Sequence, residues 1–558
     1  MLKIKKGGER EKAMRTLNEI IRTTTMLYLD GIDENNPPPP IQIEKELLTA
    51  VKAEVLVENT TRDKGDKIKA PQALSFAQIA DIMLKIYPIR KISCTNRKSD
   101  SDYDLLGIYQ TEGRYKGLYA TDENAFREIA LLYNYQLTQR EMTEILVRLN
   151  DGAKKTERTS DPDLIAVNNG IFNYKTKQLQ PFTPDYVFIS KSKVDYNPNA
   201  VNINIHNDQD NTDWDVETWV HTLSDDDEVV NLIWEILGAI IRPHVKWDKS
   251  AWFYSETGNN GKGTLCELMR NLCGDGTYAT IPISDFSKDF MLEPLVHANA
   301  IIVDENDVGQ FIDRAGNLKA VITNDVIMIN RKFKAPIPFQ FFGFMVQCLN
   351  EMPRIKDKSN SFYRRQLFVP FTKTFTGKER TYIKHDYLKR PEVLEYVLYK
   401  VLNMNYYRLS EPAACTDVLS EYKEYNDPVR LFVDEILPQC KWDLLPFTFL
   451  YDVYKEWFKE NIPSGQALSS VNFTKDIITV VNEGDEWICK DKQKKIRAGK
   501  RMNAAEPLII RYQLKNWYNP YYHGNDPDKI ALPALQTNYR GLERNIKQQA
   551  PITQSNDE

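Results

Sequence analysis

The sequence predicts a multidomain α/β protein, with a parallel sheet flanked by helices at its centre, an α+β domain ahead of it and a small domain behind. Three observations predict this. The 558 residues exceed the ~250–300 at which a single hydrophobic core stops growing. Residues 250–349 alternate short apolar runs with helical segments, the pattern of a parallel sheet whose crossovers are helices. Within that stretch, residues 251–272 read as strand, Gly-rich loop and helix.

Composition narrows the class. A hydrophobic fraction of 42%, a charged fraction of 27% and a net charge of −5 describe a globular chain, so any contact with nucleic acid must come from local basic patches. The longest apolar stretch, 339–349, is shorter than the ~18 residues of a membrane span. The first residues are not followed by the apolar run of ~7–15 that a secretory signal requires. The 7 cysteines form no C-x-x-C pair and read as reduced thiols rather than a disulfide or zinc framework. The expected compartment is the cytoplasm.

From the amino terminus, residues 1–104 read as a helical accessory region interrupted by the prolines at 37–40, which are expected to be an extended linker. Its acidic pairs suit turns better than catalysis, and it lacks a zinc cluster, so no primase centre is expected there. Residues 105–215 hold short strands, two helices (122–135 and 139–149) and a β-rich piece (164–196), closing in an Asn/Asp-rich segment, 202–215, expected to be a surface loop or linker. Residues 216–405 form the compact central domain. Residues 406–520 form a smaller one ending in strand-like 508–514, and 521–558 read as a tail.

The chemistry begins at AWFY (251–254), an apolar strand leading into SETGNNGKGT (255–264) and a helix. Successive backbone N–H groups at a helix start cradle phosphates, and a lysine there reaches the β- and γ-phosphates. Gly258, Asn259, Asn260, Gly261, Lys262, Gly263 and Thr264 are therefore the expected ATP-binding residues. The usual pattern, G-x-x-x-x-G-K-[ST], has glycine where Glu256 stands and a hydroxyl where Gly263 stands. Thr264, one residue on, is the candidate magnesium hydroxyl, with a bridging water as the alternative.

NAIIVDE (299–305) is an apolar strand ending in two carboxylates. Asp304 suits magnesium, and Glu305 suits orienting or deprotonating the attacking water. The run 341–349 ends at Asn350, whose amide suits the γ-phosphate or its water. Arg364 and Arg365 precede another apolar run; either would serve as a guanidinium supplied across a subunit boundary.

This order of loop, acidic strand, basic segment and strand-Asn resembles the compact core of the superfamily 3 helicases, AAA+ ATPases, in their phage and plasmid primase-helicase branch. The resemblance extends upstream to LIAVNNGIFNYKTKQLQPFTPDYVFISKSKVDYNPNA and downstream to DPVRLF (427–432) and LYDVYKEW (450–457), covering about residues 105–480. It implies a winged-helix-like carboxy-terminal domain, a ring expected to be hexameric with ATP and Mg2+ between subunits, and 3′-to-5′ movement on single-stranded DNA. It places the phosphate lysine on Lys262, the acids on Asp304 and Glu305, the sensor on Asn350 and the finger on Arg364 or Arg365. It also places a contact to the neighbouring subunit's nucleotide on Lys319, within LKAVITND (318–325).

In that branch the segment after this motif is a hairpin projecting into the channel. Here it is NRKFKAP (330–336). Arg331, Lys332 and Lys334 suit phosphates, and Phe333 suits a base or sugar. A second basic run lies at 490–501. The leading expectation is an ATP-dependent helicase acting on single-stranded and forked DNA in replication of a phage or other mobile element, with other replication proteins as partners. Two alternatives are an ATPase that loads or remodels a replication protein, and a DNA-binding initiator with a weakened ATP site.

Overall fold

The computed structural model describes residues 14–95, 104–309, 311–312, 314–332, 334–355, 357, 359–377, 379–461 and 467–545. The chain divides into two compact units, residues 1–416 and 417–558.

The first unit opens with three helices, Leu17–Asp30, Pro40–Asn59 and Phe76–Ile86. Pro40 is the first residue of the second helix, a position where proline loses no intrahelical hydrogen bond and its fixed φ is already helical. The proline run thus ends in a helix start rather than serving only as a linker, and Ile43, Leu47, Val51 and Val55 form a buried stripe below it. A four-stranded sheet follows, in the order Tyr119–Ala120, Leu105–Tyr109, Ile89–Ile92, Lys154–Thr156. Ile89–Ile92 pairs antiparallel with Leu105–Tyr109 and parallel with Lys154–Thr156. The sheet therefore runs across the expected boundary at 104/105, and the helices on both sides of that boundary share one core through Ile79, Met83, Ile108, Phe126 and Ile145.

Residues 164–180 form a three-stranded antiparallel meander. The acidic segment expected to be a loop contains a hairpin, Ile205–Asn207 against Thr212–Trp214, turned by Asn211 in the left-handed region (φ 52°). Its Ile205 and Trp214, one on each strand, are buried in the central core and anchor this Asn/Asp-rich stretch.

The centre is a five-stranded sheet in the order Tyr278–Ala279, Ala300–Val303, Phe344–Leu349, Ser250–Tyr254, Gln366–Pro370. Every pairing in it is parallel. Parallel strands need crossovers, and here the crossovers supply helices, chief among them Lys262–Cys273, whose Leu265, Leu268, Met269 and Leu272 are buried. The helix Asp227–Ala239 is buried on nearly every side, as a helix apolar all round must be. Register aligns the carboxyl ends: Tyr254 sits opposite Leu349 and Pro370, and Val303 opposite Gln347. Ligands of open parallel sheets sit outside those ends.

Between the acidic strand and Phe344–Leu349 the chain forms the hairpin Val326–Arg331/Lys334–Gln340. Its root is tied to the first sheet. Gln340 N–H donates to the Cys94 carbonyl at 3.0 Å, and the buried Arg158 guanidinium donates to the carbonyls of Cys94 (3.0 Å) and Gln340 (2.7 Å) while lying over the rings of Phe339 and Phe342. Burial pulls the Arg158 pKa down to about 10.

In the second unit, helices Pro428–Ile436, Phe447–Asn461 and Ser470–Val481 pack around Phe432, Trp442, Tyr454, Trp457 and Phe473. A three-stranded antiparallel sheet runs in the order Leu444–Pro446, Gly541–Arg544, Trp487–Ile488. Its central strand comes from the segment expected to be a tail, and Leu542 within it is fully buried. The strand-like 508–514 is instead a short helix, Pro507–Arg511, and a turn; proline at its first position favours that start. Among the described residues no helix is long and apolar enough to cross a membrane.

Replacing Arg158 with methionine keeps the volume but leaves the Gln340 carbonyl without this donor. The expected loss is about 1–3 kcal/mol, read as a melting temperature several degrees lower; an unchanged melting temperature contradicts the assigned role.

Candidate functional site

The loop between the strand Ser250–Tyr254 and the helix Lys262–Cys273 is shaped by two left-handed residues, Asn259 (φ 53°) and Gly261 (φ 85°). At the second, the left-handed φ is what calls for glycine; a Cβ there would also stand 2.6 Å from Leu223 Cδ2, which would have to shift. The buried Asn260 closes the loop from within, donating to the Thr257 carbonyl and accepting from Lys262 N–H at 3.4 Å. Asn259 latches it from outside, its carbonyl accepting from Phe375 N–H at 2.7 Å and its amide donating to Glu379 at 3.2 Å. Gly258 meets no atom where a Cβ would stand.

Lys262 is the first residue of the helix and only 5% exposed. Its Nζ donates to Asn350 Oδ1 at 3.0 Å and to the Ser255 carbonyl at 3.4 Å. Burial lowers its pKa, and among the described residues no carboxylate bonds to it. An ammonium so placed gains from any anion that reaches it.

On the adjoining strand end, Asp304 faces Arg270, which contacts it twice, at 2.9 and 3.3 Å. Burial opposes ionisation of Asp304, but the Arg270 hydrogen bond and charge prevail and hold its pKa below the ordinary value. Glu305 is exposed. Behind the acids, buried Asn306 donates to Gln347 (2.9 Å) and to the Cys348 carbonyl (3.1 Å) and accepts from Ile283 N–H (3.0 Å), stitching the acidic strand to the strand that ends at Asn350.

Among the described residues no group of three or more His, Cys, Asp or Glu side chains is arranged for a metal. Asp304 and Glu305 supply the oxygen donors at this strand end, a set that fits Mg2+ when substrate phosphates supply further oxygens. Thr264 is half-buried and lines a cavity of 450 Å³ with Trp214, Trp219, Phe375, Arg380 and Lys384; Asp304 is not in that wall. Gly263 meets only Lys384 Nζ, at 3.9 Å from its Cβ position.

The remaining expected residues bond elsewhere. Lys319 Nζ pairs with Asp357 at 2.6 Å. Arg365 folds back on its own turn, donating to the Ser361 carbonyl and, at 2.7 Å, to Ser361 Oγ. Arg364 is exposed and makes no side-chain ion pair among the described residues. On the hairpin, Arg331 turns back to the Ala335 carbonyl at 3.0 and 3.1 Å, Lys334 reaches Glu123 at 3.4 Å, and Lys332 is exposed at the turn. Phe333 lies outside the described residues.

The sheet therefore brings Lys262, Asn350 and Asp304 to one edge, whereas Lys319, Arg331 and Lys334 are engaged away from the loop, by Asp357, the Ala335 carbonyl and Glu123. Arg270 and Asn306 were not foreseen. The signal for Arg270 was its place roughly two helical turns beyond Lys262, on a helix bound to pack beside the acidic strand.

Three family models match parts of the chain. Residues 134–226 match a model described as D5 N terminal like, and residues 424–514 one described as Poxvirus D5 protein-like. Between them, residues 253–365 match a family of unknown function. No curated protein matches. Among solved structures, the apo C-terminal region of NrS-1 is 13% identical, with a TM-score of 0.41, covering 75% of this chain and 96% of that one. Its A form gives 13% and 0.41 with 79% and 91% covered. A JCV helicase bound to a small molecule gives 15% and 0.23 with 43% and 63% covered. Segments matching D5-type models thus lie on both sides of the loop region, and the structural likenesses are too low to carry an argument.

The Arg270–Asp304 pair yields a pH prediction. Because the folded pKa of Asp304 is depressed, its contribution is present above the unfolded carboxylate value and lost as pH falls through the folded one. Arg270→Ala should therefore melt below wild type at neutral pH, with the gap closing in acid. A gap that widens in acid contradicts the pairing.

Proposed function

We propose that the chain is an ATP-driven DNA helicase of the superfamily 3 type, with a P-loop formed by residues 255–264. The observation that carries this is the 3.0 Å bond between Lys262 and Asn350, made possible because the strand ending in Asn350 lies between the loop strand and the strand ending in Asp304. A phosphate-seeking amine, a polar sensor and a pair of acids thereby share one edge.

ATP enters with its phosphates on the loop amides and its γ-phosphate against Lys262, which trades Asn350 for the anion. Asn350, released, reaches the γ-phosphate or the attacking water. Glu305, exposed beside Asp304, orients that water; Asp304 would hold Mg2+, which when bound would supply positive charge against the phosphate oxygens. The cavity walled by Trp214, Trp219 and Phe375 takes the base, with Thr264 on its wall.

Arg364 is the residue offered to a neighbouring subunit, because Arg365 spends its guanidinium on Ser361. Lys319, held ready by Asp357, is the second such contact. A site completed by a neighbour implies a ring, and the hairpin with Lys332 and Lys334 then faces the channel. Three helices and a three-stranded sheet in the second unit support the winged-helix reading. Translocation 3′ to 5′ and service to a phage or other mobile element complete the proposal.

The test is ATP hydrolysis with and without single-stranded DNA, followed by unwinding of tailed duplexes. Lys262→Ala and Glu305→Gln should abolish turnover, and Arg364→Ala should lower it by about 10³-fold, well beyond Arg365→Ala. Turnover unchanged by Lys262→Ala rejects the site. Turnover without strand separation favours the loading or remodelling ATPase.

A further inference from the structure

We infer that the second unit holds a separate site for a single-stranded polynucleotide, in a groove between the helix Ser470–Val481 and the 489–540 insertion. The groove encloses 1440 Å³ and is lined by Val471, Thr474 and Ile478 on the helix side and by Trp517, Tyr518 and Tyr539 on the other. Small-molecule pockets run to about 300–1,000 Å³, so its size suits a polymer segment.

The charge in the groove is segregated. Lys475, Lys490, Lys492, Lys495, Lys515 and Arg540 all line it, all are exposed, and none forms a salt bridge among the described residues. Several other cations of the unit are neutralised: Lys494 and Arg501 pair with Glu543 at 3.3 and 3.5 Å, Lys459 with Glu456 at 2.8 Å, and Arg544 with Asp443 at 3.2 Å, whereas Lys441, Arg497 and Lys500, scattered outside the groove, form no salt bridge among the described residues. The one acid in the lining, Asp452, is engaged by Lys455 at 3.1 Å and by Trp517 Nε1 at 3.0 Å. In a chain of net charge −5, six unpaired cations gathered from sequence-distant segments form a site for repeated anionic charge, which a phosphodiester backbone supplies.

The aromatic wall is fixed in place. Trp517 packs on Phe449 and Tyr539, with centroids 5.2 and 6.3 Å apart, as well as bonding Asp452. Half-buried rings beside a cationic track are the means by which proteins hold unpaired bases without reading sequence. Across the groove, Val471 is 80% exposed, apolar surface of a kind that unstacked bases cover.

Geometry selects a single strand over a duplex. A helix that enters a major groove about 12 Å wide must present its outer face free of other chain. Here that face is one wall, and the insertion, built on the pair Ile496–Arg497/Asn538–Tyr539, stands opposite.

The test uses the full chain without nucleotide. Binding of a fluorescent oligo-dT, an oligo-rU and a blunt hairpin duplex is measured across salt for wild type, for Lys475→Ala/Lys490→Ala/Lys492→Ala, and for the control Lys459→Ala/Lys494→Ala/Arg501→Ala. The groove triple should weaken single-strand binding by at least ten-fold and flatten the log–log salt slope by about 2, from about 0.7 per phosphate contact, while the control leaves both near wild type. Crosslinks from bromodeoxyuridine should map to the peptide carrying Trp517. Equal losses in the two triples, no loss in either, or a wild type that prefers the duplex overturns the inference. DNA-independent ATP turnover is measured alongside: it should be unchanged in the groove triple, and it separates failure of this site from failure of the ATPase reading.

Discussion

A buried ammonium must have a partner, and the partner chosen for Lys262 constrains the whole central domain. Desolvating a charged amine is costly unless it is hydrogen-bonded. The amide that meets it belongs to a strand far along the chain, at Asn350. That contact requires the strand Phe344–Leu349 to run beside Ser250–Tyr254, parallel and in register, with Asp304 carried in on its other neighbour. The loop's left-handed glycine, the all-parallel sheet and the Asn306 cross-tie serve the same placement.

The distribution of partners among the charged residues divides them by role. Asp304, Lys319 and Arg365 are engaged within the chain, whereas Glu305, Arg364 and the groove lysines are exposed without ion pairs among the described residues. Paired charges fix geometry at little cost, and unpaired ones keep their free energy of interaction for a ligand or a second subunit. The hairpin falls between these classes. Arg331 braces its own turn, and its root is locked to the first sheet through Arg158 and Cys94, so movement of the hairpin and movement of the amino-terminal sheet are mechanically linked.

The strand, loop and helix around Lys262 were legible because a Gly-rich loop between an apolar run and a helical one has few other uses. The acids at 304 and 305 and Asn350 were legible as strand-end residues, and the structure brings Asp304 and Asn350 to the loop's edge. Domain limits were less legible. The limit expected at 104/105 separates two segments that pair as adjacent strands, Ile89–Ile92 and Leu105–Tyr109, a contact that local composition does not encode. The carboxy-terminal strand Gly541–Arg544 was hidden for the same reason: four residues in a polar stretch gain their burial only from Leu444–Pro446 and Trp487–Ile488. The segment 508–514 misled because a β-branched apolar run fits a strand and a short buried helix equally, and Pro507 decides between them.

The most direct measurement is equilibrium binding of a fluorescent, non-hydrolysable ATP analogue with Mg2+ to wild type, Lys262→Ala and Asn350→Ala. If the strand order exists to present a desolvated amine to phosphate, Lys262→Ala loses binding and Asn350→Ala keeps it, having freed the amine. Binding that survives Lys262→Ala undiminished, or that fails in Asn350→Ala alone, contradicts it.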